Sequence, residues 1–305
     1  LAKLRCRPKH QGDALMRLGS IYRDRSRWET AKRLYNASLT QYHRSKDHIG
    51  TMAAKTNIGL LAYLKGDWAS ANTILSDALE LAEECQNDKG IAICSGNLGN
   101  VAYAEGRNEE AIEFYHTSLK FNHKIRSPLG IAEIETNMGL IFERFLDWQT
   151  AADCHKRSIE SLERLGSVRN LLNSYINYAR VLLRLDDVTL AQSICSEMEG
   201  QLEDLGNQRL IAENKRVQAL AAIRMEDFRQ CQLLLRTSAD ICERIEDKPG
   251  YADTKEIIGE MFQLEGDIEK ARAAYEDSIK LYEKCGSIGN IPSLQGRLSN
   301  LNSND

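Results

Sequence analysis

Apolar residues return along this chain at i, i+3, i+4 and i+7, the spacing that lays one stripe along a helix, and the stripes come in pairs separated by short polar turns. Small residues punctuate these pairs at a fixed interval: Gly19, Gly59, Gly99 and Gly139, then Ala179, Ala219 and Gly259, each step forty residues. A second series runs twelve residues later through Ala31, Ala71, Ala111, Ala151, Ala191, Cys231 and Ala271. Two small positions in register through seven repeats predict antiparallel helix hairpins, because helices approach closely only where neither carries a large side chain at the crossing. With the glycine set at repeat position 8, position 10 of the first helix (helix A) is Ile21, Leu61, Val101, Ile141, Val181, Ala221 and Met261. That apolar face is expected to be buried.

Between helix A and the second helix of each pair (helix B) lies a turn of the form Gly-Asp-Trp. Asp67, Asp147, Asp187, Asp227 and Asp267 are placed there to cap helix B by accepting a backbone N–H. The next residue is Trp28, Trp68, Trp148, Phe228 or Ile268, so all three tryptophans occupy one repeat position and read as packing residues. Position 24 is bulky in Tyr35, Leu75, Tyr115, Leu235 and Tyr275, and position 27 is small in Ser38, Ala78, Ser118, Ser158, Ser238 and Ser278. Repeats five and six depart from this pattern, with Ala179 and Ala219 for glycine, Cys195 at position 24 and Gln218 at an otherwise apolar position 7.

The segments "TNIGLLAYLKGDWASANTILSDALELA" and "GNLGNVAYAEGRNEEAIEFYHTSLKFN" resemble the tetratricopeptide-repeat (TPR) motif throughout, and the resemblance runs from about residue 11 to residue 290. It implies an all-α fold, a right-handed α-solenoid of antiparallel helix hairpins forming a TPR superhelix. The expected repeats are 11–50, 51–90, 91–130, 131–170, 171–210, 211–250 and 251–290. Residues 1–10 are expected to be a lead-in at the end of a preceding segment, since the chain opens on Leu1 and reads as part of something longer. Residues 291–305 are expected to be a capping helix with a frayed tail, with Leu294, Leu298 and Leu301 covering the last open core. The forty-residue repeat, without the proline usual near its end, is similar to the arrays of Pins/LGN scaffolds, kinesin light chains and Rap/PlcR-type peptide receptors. This resemblance implies a protein or peptide partner.

Composition removes several classes of function. A formal net charge of -4 supplies no global basic field for direct nucleic-acid binding. No apolar run is long enough to span a bilayer, so neither a membrane nor a secretory route is expected, and the reading is cytoplasmic. Eight cysteines contain no CxxC pair and no metal-ligand spacing, which points to reduced, structural thiols with no metal and no cofactor. The six histidines form no HExxH, and there is no P-loop, dinucleotide turn or nucleophile elbow. The chain is therefore not read as an enzyme.

In a stacked hairpin array the A helices line the concave surface, where positions 2, 6, 9 and 13 form one stripe that meets a guest. Position 6 is Asn57, Asn97, Asn137 and Asn177, joined by Asn100 at position 9 and Asn173 at position 2. Asparagine inside a helix costs roughly 0.6 kcal/mol relative to alanine, so four in register need a reason. Each amide offers a donor and an acceptor to the backbone of an extended peptide, or else bridges neighbouring helices. Further along, Arg144, Arg184 and Arg224 at position 13, Arg180 at position 9 and Arg216 at position 5 gather guanidinium groups. They would attract an acidic guest, or else pair with groove acids such as Glu143 and Glu213. A specific site is expected where the two sets overlap, around Asn137, Asn177, Arg144, Arg180 and Arg184.

The leading functional expectation is a scaffold or adaptor that grips a partner peptide or protein segment in the groove. The alternative is a ligand- or peptide-sensing domain of a larger signalling protein, such as a transcription regulator, a STAND-type ATPase or a TPR-linked protease.

Overall fold

Short polar side chains close most helix N-termini in the computed structural model, which describes residues 8–24, 27–285 and 291–302. Asp67, Asp147, Asp187, Asp227 and Asp267 accept the N–H of the residue three positions on, at 2.9–3.3 Å, and start helix B as expected. Asp47, Asn87, Ser127, Asn207 and Asp247 do the same at the start of helix A. Most turns leaving a helix use one residue in the left-handed region. After helix A this is Gly66, Gly106 or Gly266, but also Leu146, Asp186 and Glu226. A side chain with a Cβ at positive φ carries a steric cost that glycine avoids.

Between these signals run sixteen helices among the described residues, with no strand. They divide into two compact units, Leu1–Phe145 and Leu146–Asp305. The first holds α1 (Pro8–Asp24), α2 (Trp28–Ser45), α3 (His48–Leu64), α4 (Trp68–Glu84), α5 (Asp88–Ala104), α6 (Asn108–Lys124) and α7 (Pro128–Arg144). Here α1 packs on α2, α3 on α4 and α5 on α6, while the A helices α1, α3, α5 and α7 lie side by side. The second unit holds α8 (Trp148–Glu163), α9 (Val168–Arg184), α10 (Val188–Glu197), α11 (Glu199–Leu205), α12 (Gln208–Arg224), α13 (Phe228–Arg244), α14 (Lys248–Glu265), α15 (Ile268–Cys285) and α16 (Ile291–Asn302). Its A helices α9, α12 and α14 are again neighbours. Helix α1 begins at Pro8, three residues ahead of the expected start of the first repeat.

The small residue at position 8 has a specific partner. A Cβ on Gly19, Gly99 or Gly259 would lie 2.4–2.5 Å from the ring of Tyr35, Tyr115 or Tyr275, the bulky residue at position 24 of the same hairpin. Where position 24 shrinks to Cys195, position 8 grows to Ala179, and both are buried. The departure in repeat five is thus a volume exchange across one contact, the kind of swap a close-packed core tolerates best. Position 27 is small for a second reason: Ser118, Ser238 and Ser278 donate their hydroxyls to the carbonyls of Ala92, Ala212 and Ala252 at 2.7–3.0 Å, tying helix B to the start of helix A.

Repeat five lacks this tie. Met198 occupies position 27, and its helix B is broken there into α10 and α11. The Cys195 carbonyl accepts instead from Nδ2 of the buried Asn214 at 3.1 Å, and Glu199 accepts from Lys215 and Gln218 at 2.6 and 2.7 Å.

Two packing expectations need correction. Ile21 is 49% exposed, although position 10 is buried in every later repeat, because no described element precedes α1 to cover that face. Trp28 packs on the cluster of Ala31, Tyr35, Ile58 and Leu61, but Trp68 is 39% exposed. At the other end Leu294 and Leu301 are buried and Leu298 packs beside them, where α16 lies against α15. The tail beyond residue 302 and the side chains of Cys6 and Cys285 lie outside the described residues.

Candidate partner-binding face

The asparagine row lies on the A helices, but its members do different work. Asn57 donates to the Ala53 carbonyl at 2.9 Å and accepts from Arg23 of α1 at 3.2 Å. Asn137 on α7 donates to Oδ1 of Asn100 on α5 at 2.9 Å, and the same oxygen accepts from the Tyr115 hydroxyl at 2.7 Å. In the second unit the Oδ1 of Asn177, which is 6% exposed, accepts from Arg180 at 3.0 Å. Three of the four ladder amides are therefore engaged by their own chain. Asn97 is the exception: half-buried, it makes no side-chain hydrogen bond among the described residues.

Asn97, Asn100 and Asn137 border one cleft of about 340 Å³ between α5, α6 and α7. Its rim carries the exposed apolar side chains Ile93 and Leu129, and Gly96 and Gly130 line its wall. The Glu133 carboxyl reaches the same cleft and is held above its ordinary range by burial against the face. The cleft thus combines a free amide, two amides held in orientation by one another, and apolar flanks. That is the set needed to read a polypeptide backbone and seat its side chains.

The arginines are dispersed. Arg144 lies with its guanidinium 3.9 Å from the Tyr103 ring and donates to the Tyr103 carbonyl at 3.3 Å. Arg184 stands over the Trp148 ring at 5.7 Å, and Arg224 is exposed. Arg180 pairs with Glu213 at 3.2 Å, as the groove-acid alternative anticipates. Arg216 does not face a guest as an open cation: it is 8% exposed and donates to the Gly250 carbonyl at 3.3 Å, with Asp253 at 3.7 Å. Asn173 is half-buried on α9. The expected overlap is divided, with Asn137 and Arg144 in the first unit and Asn177, Arg180 and Arg184 in the second.

A second cleft, of about 450 Å³, lies on α9, α12, α14 and α16. Arg180, Arg184, Arg216 and Arg297 line it together with Glu213, Asp253, Glu256 and Glu260. Four cations against four carboxylates leave no net positive charge, so the expected basic pocket is corrected to a charge-balanced one. Arg297 was outside the repeat pattern and could not be aligned to it. Asp253 and Glu260, by contrast, stand at the stripe positions 2 and 9 and were legible there.

Residues 11–84 and 252–285 match sequence models described as tetratricopeptide repeat. The fold is that of a TPR array. Solved structures similar to it include apo RapI (13% identity, TM-score 0.74, covering 90% of this chain and 99% of that one). The apo quorum sensor NprR from B. thuringiensis is similar over 90% of this chain and 77% of its own, with 18% identity and a TM-score of 0.74. The Rap conjugation gene regulator of plasmid pLS20, solved in complex with the Phr* peptide, matches 90% of this chain and 74% of its own at 14% identity and a TM-score of 0.70. No curated protein matches in sequence. The TPR core is thus shared with these proteins at identities that speak for the fold alone.

The TPR array keeps its thiols inside. Among the described residues Cys94, Cys154, Cys195, Cys231 and Cys242 are buried and in no disulfide, Cys85 is half-buried, and burial pushes the Cys195 and Cys231 thiols up to about 12. No described helix is long and apolar enough to cross a membrane.

Proposed function

We propose that this TPR array binds a peptide or an extended protein segment along its A helices, with the α5–α7 cleft as the reading site. The unpartnered Asn97 amide, set beside the fixed Asn100–Asn137 pair and the exposed Ile93 and Leu129, is the observation that carries this reading. A half-buried amide without a partner among the described residues offers both a donor and an acceptor, and a guest backbone supplies a match for each. The guest is a neutral to apolar segment at this cleft rather than an acidic one, since the arginines are already paired, stacked on aromatic rings or outside it. The protein works as an adaptor in the cytoplasm, where its free thiols stay reduced.

A second reading, a peptide-sensing domain in a larger signalling protein, is favoured by the quorum sensor and the peptide-bound gene regulator among the similar structures.

Panning a random peptide display library on the wild type, with Asn97→Ala as the counter-screen, tests the site. The expected ligands bind the wild type about tenfold more tightly, because a lost hydrogen bond in a partly desolvated site is worth about 1–2 kcal/mol. Ligands indifferent to Asn97→Ala would move the site elsewhere.

A further inference from the structure

The charge-balanced cleft of the second unit is balanced only because one of its cations arrives from outside the repeats. Arg297 belongs to α16, the helix after the last hairpin, and its side chain is 31% exposed. Its guanidinium stands 3.2 Å from Glu260 and 3.9 Å from Glu256, both on α14, and 5.9 Å from the centroid of the Tyr275 ring. The Tyr282 hydroxyl donates to Asp253 at 2.5 Å and lies 3.4 Å from Glu256, so the acidic row of α14 is also held from α15. Burial pushes the Glu256 carboxyl up, the charges of Asp253 and Glu260 add to that, and Arg297 opposes it. The other cation paired with this row is Arg216, at 3.7 Å from Asp253, and that side chain is already engaged with the Gly250 carbonyl.

The rest of α16 is held differently. Leu294 and Leu301 are buried against Tyr275, Tyr282 and Ala271, a contact that closes the core end. Arg297 lies between them in sequence and reaches instead onto the A-helix face, into a cleft that continues past Arg216 to Arg180 and Arg184. A hydrophobic anchor and a polar arm therefore divide the helix. The anchor stabilises the fold, whereas the arm fills space that a guest on this face would need.

We propose that α16 is an autoinhibitory strap, latched by Arg297 onto Glu256 and Glu260, and that a guest carrying a guanidinium group competes with Arg297 for the α14 carboxylates and releases the strap. This rests on the reading that guests lie along the A helices, but its site is in the second unit and is independent of Asn97. Competition requires the same chemistry: a planar fork of donors that meets two carboxylates one helical turn apart and stacks on an aromatic ring. The latch is also weak enough to open, since a partly exposed ion pair contributes far less than a buried one.

Hydrogen exchange read by mass spectrometry on the full chain tests the strap. N-acetyl-L-argininamide is the probe, and N-acetyl-L-citrullinamide is the uncharged control. In the wild type the arginine probe, at millimolar concentration, should speed exchange of the α16 amides about threefold to fivefold, and the citrulline control should not. Arg297→Gln should speed the same amides by about as much without any probe, and should then bind the arginine probe more tightly than the wild type does. Glu260→Gln should release α16 likewise while weakening the probe. Both variants keep the leucine anchor, and exchange in α3 to α6 reports whether the rest of the fold is intact. Unchanged α16 exchange in both variants, or equal probe affinity in wild type and Arg297→Gln, would overturn the strap. Neither result bears on ligands selected through Asn97.

Discussion

Asn137 donates its side-chain amide to Oδ1 of Asn100 at 2.9 Å, joining α7 to α5 across the A-helix face. One residue of the asparagine row thus holds the array together while its neighbour Asn97 stays free for a guest, and substitutions separate these roles. Asn137→Ala should lower stability by about 1 kcal/mol, the worth of one lost inter-helix hydrogen bond less a gain in helix propensity. Asn97→Ala should be neutral or slightly stabilising. Thermal unfolding followed by circular dichroism compares the two, and a larger loss for Asn97→Ala would reverse the assignment.

The contact between Gly99 and Tyr115 predicts a coupled pair. A Cβ at Gly99 would lie 2.4 Å from the Tyr115 ring, so Gly99→Ala should cost about 1–3 kcal/mol by overpacking. In a Tyr115→Cys background, which copies the Ala179 and Cys195 arrangement, the same substitution should cost much less. A double-mutant cycle in urea should return a coupling of about 1 kcal/mol or more. Additive effects would show that the two positions are not in contact.

Glu226 holds φ at 58° in an exposed turn where the matching residue of three other repeats, Gly66, Gly106 and Gly266, is glycine. Glu226→Gly removes a steric cost of about 1–2 kcal/mol and adds an unfolded-state entropy cost of about 0.5–1 kcal/mol. A small net rise in melting temperature is expected. A fall would mean that the glutamate makes a contact worth more than the strain.

Asp247 predicts the acid limb of stability. Burial would raise its carboxyl, but the bidentate Arg209 pair at 2.8 and 2.9 Å and the Gly250 N–H hold it below the ordinary range. A carboxyl depressed in the folded state contributes stability above its unfolded pKa of about 3.9 and loses it as pH falls through the folded value. Asp247→Asn should therefore cost about 1–2 kcal/mol at pH 7, reduced from a fully buried pair because Arg209 is largely exposed. The difference from wild type should shrink below pH 4. A difference that stays constant down to pH 2.5 would place the effect in packing instead.

Periodicity in the chain was sufficient for the helices, the hairpins and the B-helix caps. Each of these depends on residues near one another in sequence or on a repeat that copies itself, so a single line of letters carries the signal. The A-helix caps at Asp47, Asn87, Ser127, Asn207 and Asp247 were equally legible as short polar residues ahead of the apolar stripe.

The chemistry of the face was decided by tertiary structure. A row of asparagines looks uniform along the chain, but which amide finds a partner depends on what the neighbouring helix presents at 3 Å: Arg23 for Asn57, Asn100 for Asn137, Arg180 for Asn177, and none for Asn97. The arginines likewise looked like one basic patch until their carboxylate and aromatic neighbours were placed, and Arg297 entered the second cleft from beyond the repeats. Helix formation and hairpin packing are set by spacing within a repeat, whereas the net charge and hydrogen-bonding capacity of a surface are sums over side chains from three or four helices. Only folding brings those side chains within reach of one another.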